Sequence, residues 1–210
     1  MSHFLYPLDV AVFHWINQGW SCGPLDVFFS FVTDIHHFYP ALLALAVYLL
    51  VWGGAKGRWM VLGLIVTVIL TDQISAHVLK NLVGRVRPCN VLSGVLTPVG
   101  PSSSHSFPSS HATNMGGTML LLSLAYPVYT WFFAFWALAA GLSRIYLGLH
   151  YPSDVLGGYL LGMAIGWGVW SALRKWVPAF QTKAAAKATP GQKPKNKKPK
   201  GKRLRGYRKH

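Results

Sequence analysis

The sequence predicts an all-α protein: a polytopic transmembrane helical bundle of five to six membrane spans, with an N-terminal segment suited to an interfacial helix. Three observations predict it. The 210 residues are 52% hydrophobic and 12% charged, too apolar for an ordinary soluble domain. Apolar runs of about the length a helix needs to cross a ~30 Å hydrocarbon core recur along the chain. Charge is also segregated: twelve of the twenty Lys and Arg lie in residues 183–210, while the remainder carries eight Lys or Arg against five Asp. The net charge of +15 therefore describes a tail rather than a nucleic-acid-binding domain, and no nucleic-acid partner is expected. The chain divides into a membrane-embedded unit, 1–178, and a Lys-rich tail, 179–210.

Residues 4–20 (FLYPLDVAVFHWINQGW) mix apolar and aromatic residues with Asp9, His14 and Asn17. That pattern suits either an amphipathic interfacial helix or a weakly hydrophobic first span. The N-terminus lacks the basic stretch of a cleavable signal, so the segment is expected to persist in the mature protein. Residues 24–38 form a second short apolar segment carrying Asp26 and Asp34. Clearer spans follow at about 39–53, 59–80, 112–126, 128–147 and 153–174. One long loop, 88–108, is rich in Pro, Ser and Gly, and a loop of that length inside a compact bundle is usually functional. Cys22 and Cys89 make neither a disulfide framework nor a metal-ligand spacing. The tail cannot bury enough apolar surface to fold, and anionic lipid is its expected partner.

Basic residues outside the motifs fix an expected orientation. Lys56 and Arg58 precede the 59–80 span, and Arg174, Lys175 and the tail follow the last one. The positive-inside rule puts these on the cytoplasmic face. The chemistry-bearing residues then open to the exterior of what is expected to be a bacterial inner membrane.

Those residues fall into three motifs: KNLVGRVRP from Lys80 to Pro88, PSSH from Pro108 to His111, and SRIYLGLHYPSD from Ser143 to Asp154. Ionisable groups beside a bilayer are costly and read as functional by default. His150 and Asp154 are four apart, with Pro152 placed to begin a helix. A carboxylate there either fixes the imidazole tautomer or simply caps the helix. Ser109 and Ser110 precede an apolar helix starting near Ala112, where they serve as caps or help form an anion site. His111 at that mouth is placed to donate a proton. Lys80 and Arg87 share a face if the helix continues to Pro88, whereas Arg85 points away, towards lipid head groups. Arg144 sits near the outer end of a span, where an unpaired guanidinium is expensive. Asp72 and His77 read first as structural polar contacts, Asp72 being two turns from Lys80.

Together these motifs resemble the signature of the type-2 phosphatidic acid phosphatase family, which also includes glucose-6-phosphatase and vanadium haloperoxidases. Its pattern is KxxxxxxRP, PSGH and SRxxxxxHxxxD. Every spacing matches, and Ser110 stands where the family usually has Gly. The resemblance implies that His150 is the nucleophile forming a phosphohistidine, Asp154 its orienting partner and His111 the acid for the leaving group. It further implies that Lys80, Arg87, Ser109, Ser110 and Arg144 cradle the phosphate, with no metal and no cofactor. The implied substrate is a membrane lipid phosphate or diphosphate, undecaprenyl diphosphate being favoured. Phosphatidylglycerophosphate, phosphatidic acid and lipid A are the alternatives. A haloperoxidase is disfavoured by the membrane spans. A non-catalytic lipid-binding or transport protein is the reading from a different class.

Overall fold

The computed structural model describes residues 5–181, and every regular element in that range is helical. In order these are α1 (Leu5–Asn17), α2 (Gly23–Thr33), a 3₁₀ turn (Ile35–Phe38), α3 (Tyr39–Val51) and α4 (Gly54–Asp72). Then come a π-helical stretch (Gln73–Leu79), α5 (Lys80–Val83), α6 (Pro88–Val91), α7 (Ser110–Ala125), α8 (Thr130–Tyr146) and α9 (Pro152–Trp176). The helical unit runs on to Phe180, which is buried against Trp170. The Lys-rich tail beyond Gln181 lies outside the described residues.

Three segments are long and apolar enough to cross a membrane: Gly54–Val91, Pro127–Tyr146 and Pro152–Trp176. A fourth crossing arises if Gly23–Thr33 and Ile35–Val51, bent by 68°, form one broken span. Helices stand at all five expected span positions, but α7 has only 16 residues, about 24 Å at helical rise. It is sheltered by α4, α8 and α9. Large apolar side chains such as Leu62, Ile65, Ile69, Leu156 and Leu160 face outward, as a lipid-solvated surface requires.

The tightest packing is α7 on α9. Gly158, Gly162 and Gly166 recur every four residues along α9, and a Cβ on Gly166 would lie 2.5 Å from the carbonyl oxygen of Gly117. Small residues at this spacing let two backbones approach closely. The consequence is positional: the start of α7, with Ser109 and His111, is brought beside the start of α9, with Asp154.

α1 is two-faced: Phe13, Ile16, Asp9 and Asn17 are buried against the bundle, while Leu8 and Trp15 are exposed. The Asn17 side chain donates to the carbonyls of Leu96 (2.8 Å) and Tyr146 (2.6 Å) and accepts from Leu96 N–H (3.0 Å). The polar residues that break the apolar pattern of α1 therefore hold the long loop and the end of α8. Cys22 and Cys89 are both free thiols.

Candidate active site

His150 lies in the short loop between α8 and α9, outside both helices, and is 2% exposed. Its Nε2 is 2.9 Å from an Arg87 guanidinium nitrogen. A guanidinium only donates, so Nε2 carries the lone pair and the proton resides on Nδ1. Nδ1 is 3.7 Å from Asp154 Oδ2, beyond hydrogen-bond length but well within the carboxylate's field. Burial, reinforced by Arg87 and Arg144, outweighs Asp154 and pushes the His150 pKa down to about 3. The ring is thus neutral, with an unprotonated Nε2.

Asp154 serves as more than an orienting partner. Its Oδ2 accepts from the N–H of Tyr151 (2.8 Å) and from the Ser106 hydroxyl. Its backbone carbonyl accepts from Ser109 N–H at 3.1 Å. Helix-capping and histidine-facing roles coexist in one side chain.

Arg87 is 3% exposed. It donates to the carbonyls of Ser104 (2.8 Å) and Leu149 (2.8 Å) and to the Ser104 hydroxyl (2.9 Å). Arg144 bonds the Thr33 hydroxyl, leaves a buried Nε without a partner, and its carbonyl accepts from His150 N–H at 3.1 Å. The Lys80 side chain makes no hydrogen bond or ion pair among the described residues, yet lies in electrostatic range of Arg87, Arg144 and Asp154. Asp72 acts on Lys80 only through its field. His77 is solvent- or lipid-exposed, and its carbonyl accepts from Asn81 at 2.8 Å.

Ser109 is the N-cap of α7, its hydroxyl accepting from Ala112 N–H at 3.5 Å. Ser110, the departure from the PSGH pattern, accepts a 3.2 Å bond from Ser75 in the π-helical stretch. That bond engages the extra hydroxyl and ties the first motif to the second. His111 reaches the Thr33 carbonyl at 3.3 Å. With Arg144 and Leu149 it lines a cavity of about 1030 Å³, whose lining also includes Asp26 and Asp34.

Two expectations need correction. The helix bearing Lys80 does not run on to Pro88: Gly84 adopts φ 62° and ends it, a conformation a side chain resists. Lys80 and Arg87 therefore lie on either side of a turn, within each other's field, and not along one helical face. Arg85 does not reach lipid head groups. Its side chain is 9% exposed, paired at 2.6 Å with both Asp154 and Asp9 and stacked 4.0 Å over the Tyr151 ring. Reversal of the chain at Gly84 turns it inward, and two buried carboxylates demand a counter-charge. Asp9, Arg85, Ser104, Ser106 and Thr33 are the site residues that motif reading misses. A lone carboxylate in an apolar segment was the available signal for Asp9.

The fold and site together define a helical membrane protein in which Arg87 and Arg144 act on a neutral imidazole, with Lys80 in electrostatic range of both guanidiniums. The chain belongs to the PAP2 superfamily, whose family model matches residues 57–178. It is 34% identical over 105 residues to the lipid A 1-phosphatase of Rhizobium etli, covering 48% of this chain and 44% of that protein. It is 29% identical over 107 residues to the undecaprenyl-diphosphatase of Sulfolobus acidocaldarius, covering 50% of each. The chain spans about half the length of the curated relatives it matches. Its fold matches the transmembrane PAP2-type phosphatidylglycerolphosphate phosphatase of Bacillus subtilis with a TM-score of 0.66 at 22% identity, covering 86% of this chain and 90% of that one. The protein is an integral membrane protein.

Proposed function

We propose that the protein is a lipid phosphate phosphatase acting through a phosphohistidine on His150. The observation that carries this reading is a buried, neutral His150 whose Nε2 lone pair faces Arg87, with Asp154 on the Nδ1 side. In the first step Nε2 attacks phosphorus and the bond from phosphorus to the leaving oxygen breaks. His111 supplies the proton that oxygen needs. In the second step water attacks the phosphohistidine, its proton passing to His111. Inorganic phosphate leaves and the imidazole is restored. Arg87, Arg144 and Lys80 balance the charge on the phosphoryl oxygens, with the Ser109 end of α7 completing the cradle. No metal or cofactor enters this scheme.

The substrate's apolar part stays in the bilayer while its phosphate enters among the cations. Undecaprenyl diphosphate is the first substrate to test, since a diphosphate supplies a good leaving group and one relative bears that activity in its name. Asp26 and Asp34 in the cavity lining favour a second reading, a phosphomonoester with a hydroxyl-bearing headgroup such as lipid A.

The site is read as facing the exterior. α4 begins with Lys56 and Arg58 and leads towards the site, while α9 leads away from it to Arg174 and Lys175, so both basic ends lie opposite the site. The tail is proposed to contact anionic lipid. The test is phosphate release by detergent-solubilised protein from undecaprenyl diphosphate, phosphatidic acid, phosphatidylglycerophosphate and lipid A, ranked by kcat/KM. Release from none of them would overturn the phosphatase reading.

A further inference from the structure

One charged network lies beside His150, and two of its charged members, Asp9 and Arg85, stand outside the fixed positions of the three motifs. Asp154 Oδ1 accepts from one nitrogen of Arg85 at 2.6 Å, and Asp9 Oδ2 accepts from another, also at 2.6 Å. Asp9 Oδ1 accepts from Ser153 N–H at 2.8 Å, and Arg85 donates to the Ser153 hydroxyl at 2.7 Å. The Arg85 carbonyl accepts from Ser106 N–H at 2.7 Å, and the Ser106 hydroxyl in turn bonds Asp154. Asp9 is 7% exposed and Asp154 is fully buried. Asp9 stands 144 residues from Ser153 in the chain, so α1 is drawn into the wall of the site by this network.

We propose that Asp9 is a positioning residue for the reaction, acting on His150 through Arg85 and Asp154. The coupling is electrostatic. A single Arg85–Asp154 pair would be neutral and would offer little to an imidazole becoming positive as it takes the phosphoryl group. With Asp9 present, two carboxylates share one guanidinium, and one negative charge remains. Asp154 is the member of the trio facing His150 Nδ1, so that charge is expressed where the imidazolium develops. In a buried site such an interaction is screened far less than in water. Asp9 also holds the guanidinium from its far side, so Arg85 cannot swing and draw Asp154 off the histidine.

The inference rests on the reading of His150 as nucleophile, so its test has two arms. In the first, kcat and KM for the best lipid phosphate are measured for wild type, Asp9→Asn, Asp154→Asn and the double variant. Asp9→Asn should lower kcat by about 10- to 100-fold with KM within about threefold. Asp9→Glu, which keeps the charge, should restore most of that loss. The double variant should be no slower than Asp154→Asn alone, because Asp9 acts only through Asp154. Wild-type kcat in Asp9→Asn, or losses that multiply in the double variant, would overturn the proposal. The second arm needs no turnover. In histidine-selective ¹⁵N-labelled protein, with the His150 signals assigned by their absence from His150→Gln, Asp9→Asn should displace those signals. Lys56→Met, at the opposite end of α4, should leave them in place. Unmoved His150 signals in Asp9→Asn would overturn the proposal. Displaced signals in a protein without phosphatase activity would support the positioning role and sink the phosphatase reading instead.

Discussion

Burial decides the protonation of His150, and protonation decides what the ring can do. A solvated imidazole takes up a proton near pH 6.5, whereas this one stays neutral down to about pH 3. Between those values the unfolded chain binds a proton that the folded chain does not. Folding stability therefore falls as pH drops through that window. His150→Gln removes this contribution, so its thermal midpoint should decline less steeply from pH 6.5 to 4 than that of wild type. An unchanged slope would show that His150 is not held neutral. Asp154→Asn should reduce turnover by about 10³- to 10⁴-fold, the scale on which an orienting aspartate matters. Arg85→Ala leaves two buried carboxylates without their counter-charge and should cost about 3–5 kcal/mol of stability, read from denaturation in detergent. A loss below about 1 kcal/mol would show that the network is solvated.

At the scale of elements, the α7–α9 contact is what aligns the second motif with the third. A Cβ on Gly162 would run into Thr113 O and come within 2.8 Å of Gly117 N, whereas one on Gly168 would meet nothing within 4 Å. Gly162→Val should therefore destabilise by at least about 2 kcal/mol and lose activity with the fold. Gly168→Ala should be neutral or stabilising by up to about 1 kcal/mol. Equal midpoints for the two variants would contradict the packing account. The helices were legible because apolar runs of spanning length have few alternatives, and the motif residues because charge in such a setting is conspicuous. The π-helical stretch joining Ser75 to Ser110 was not legible, since no residue pattern marks a change of hydrogen-bond register. The turn at Gly84 was signalled only by the glycine itself, and it decides where Arg85 points. The Asp9–Arg85 pair joins residues 76 apart, a distance over which periodicity carries no information.

At the scale of the whole molecule, orientation and charge balance make separate predictions. In a Cys22→Ser, Cys89→Ser background, Ser102→Cys should react with a membrane-impermeant thiol reagent in intact cells and Lys195→Cys should not. The reverse pattern would put the site on the cytoplasmic face. Because Arg87, Arg144 and Lys80 supply the positive charge, turnover should survive EDTA and be inhibited by vanadate, which resembles five-coordinate phosphorus. A strict requirement for added magnesium would show that charge is neutralised in another way.

The most direct test of the central claim is to trap the covalent intermediate. Protein mixed with a ³²P-labelled lipid phosphate and quenched within a turnover should carry label that is stable to base and released by acid. The label should map to His150 and be absent from His150→Ala, which should itself be inactive. Label on another residue, or near-normal turnover in His150→Ala, would contradict the assignment of His150 as the nucleophile.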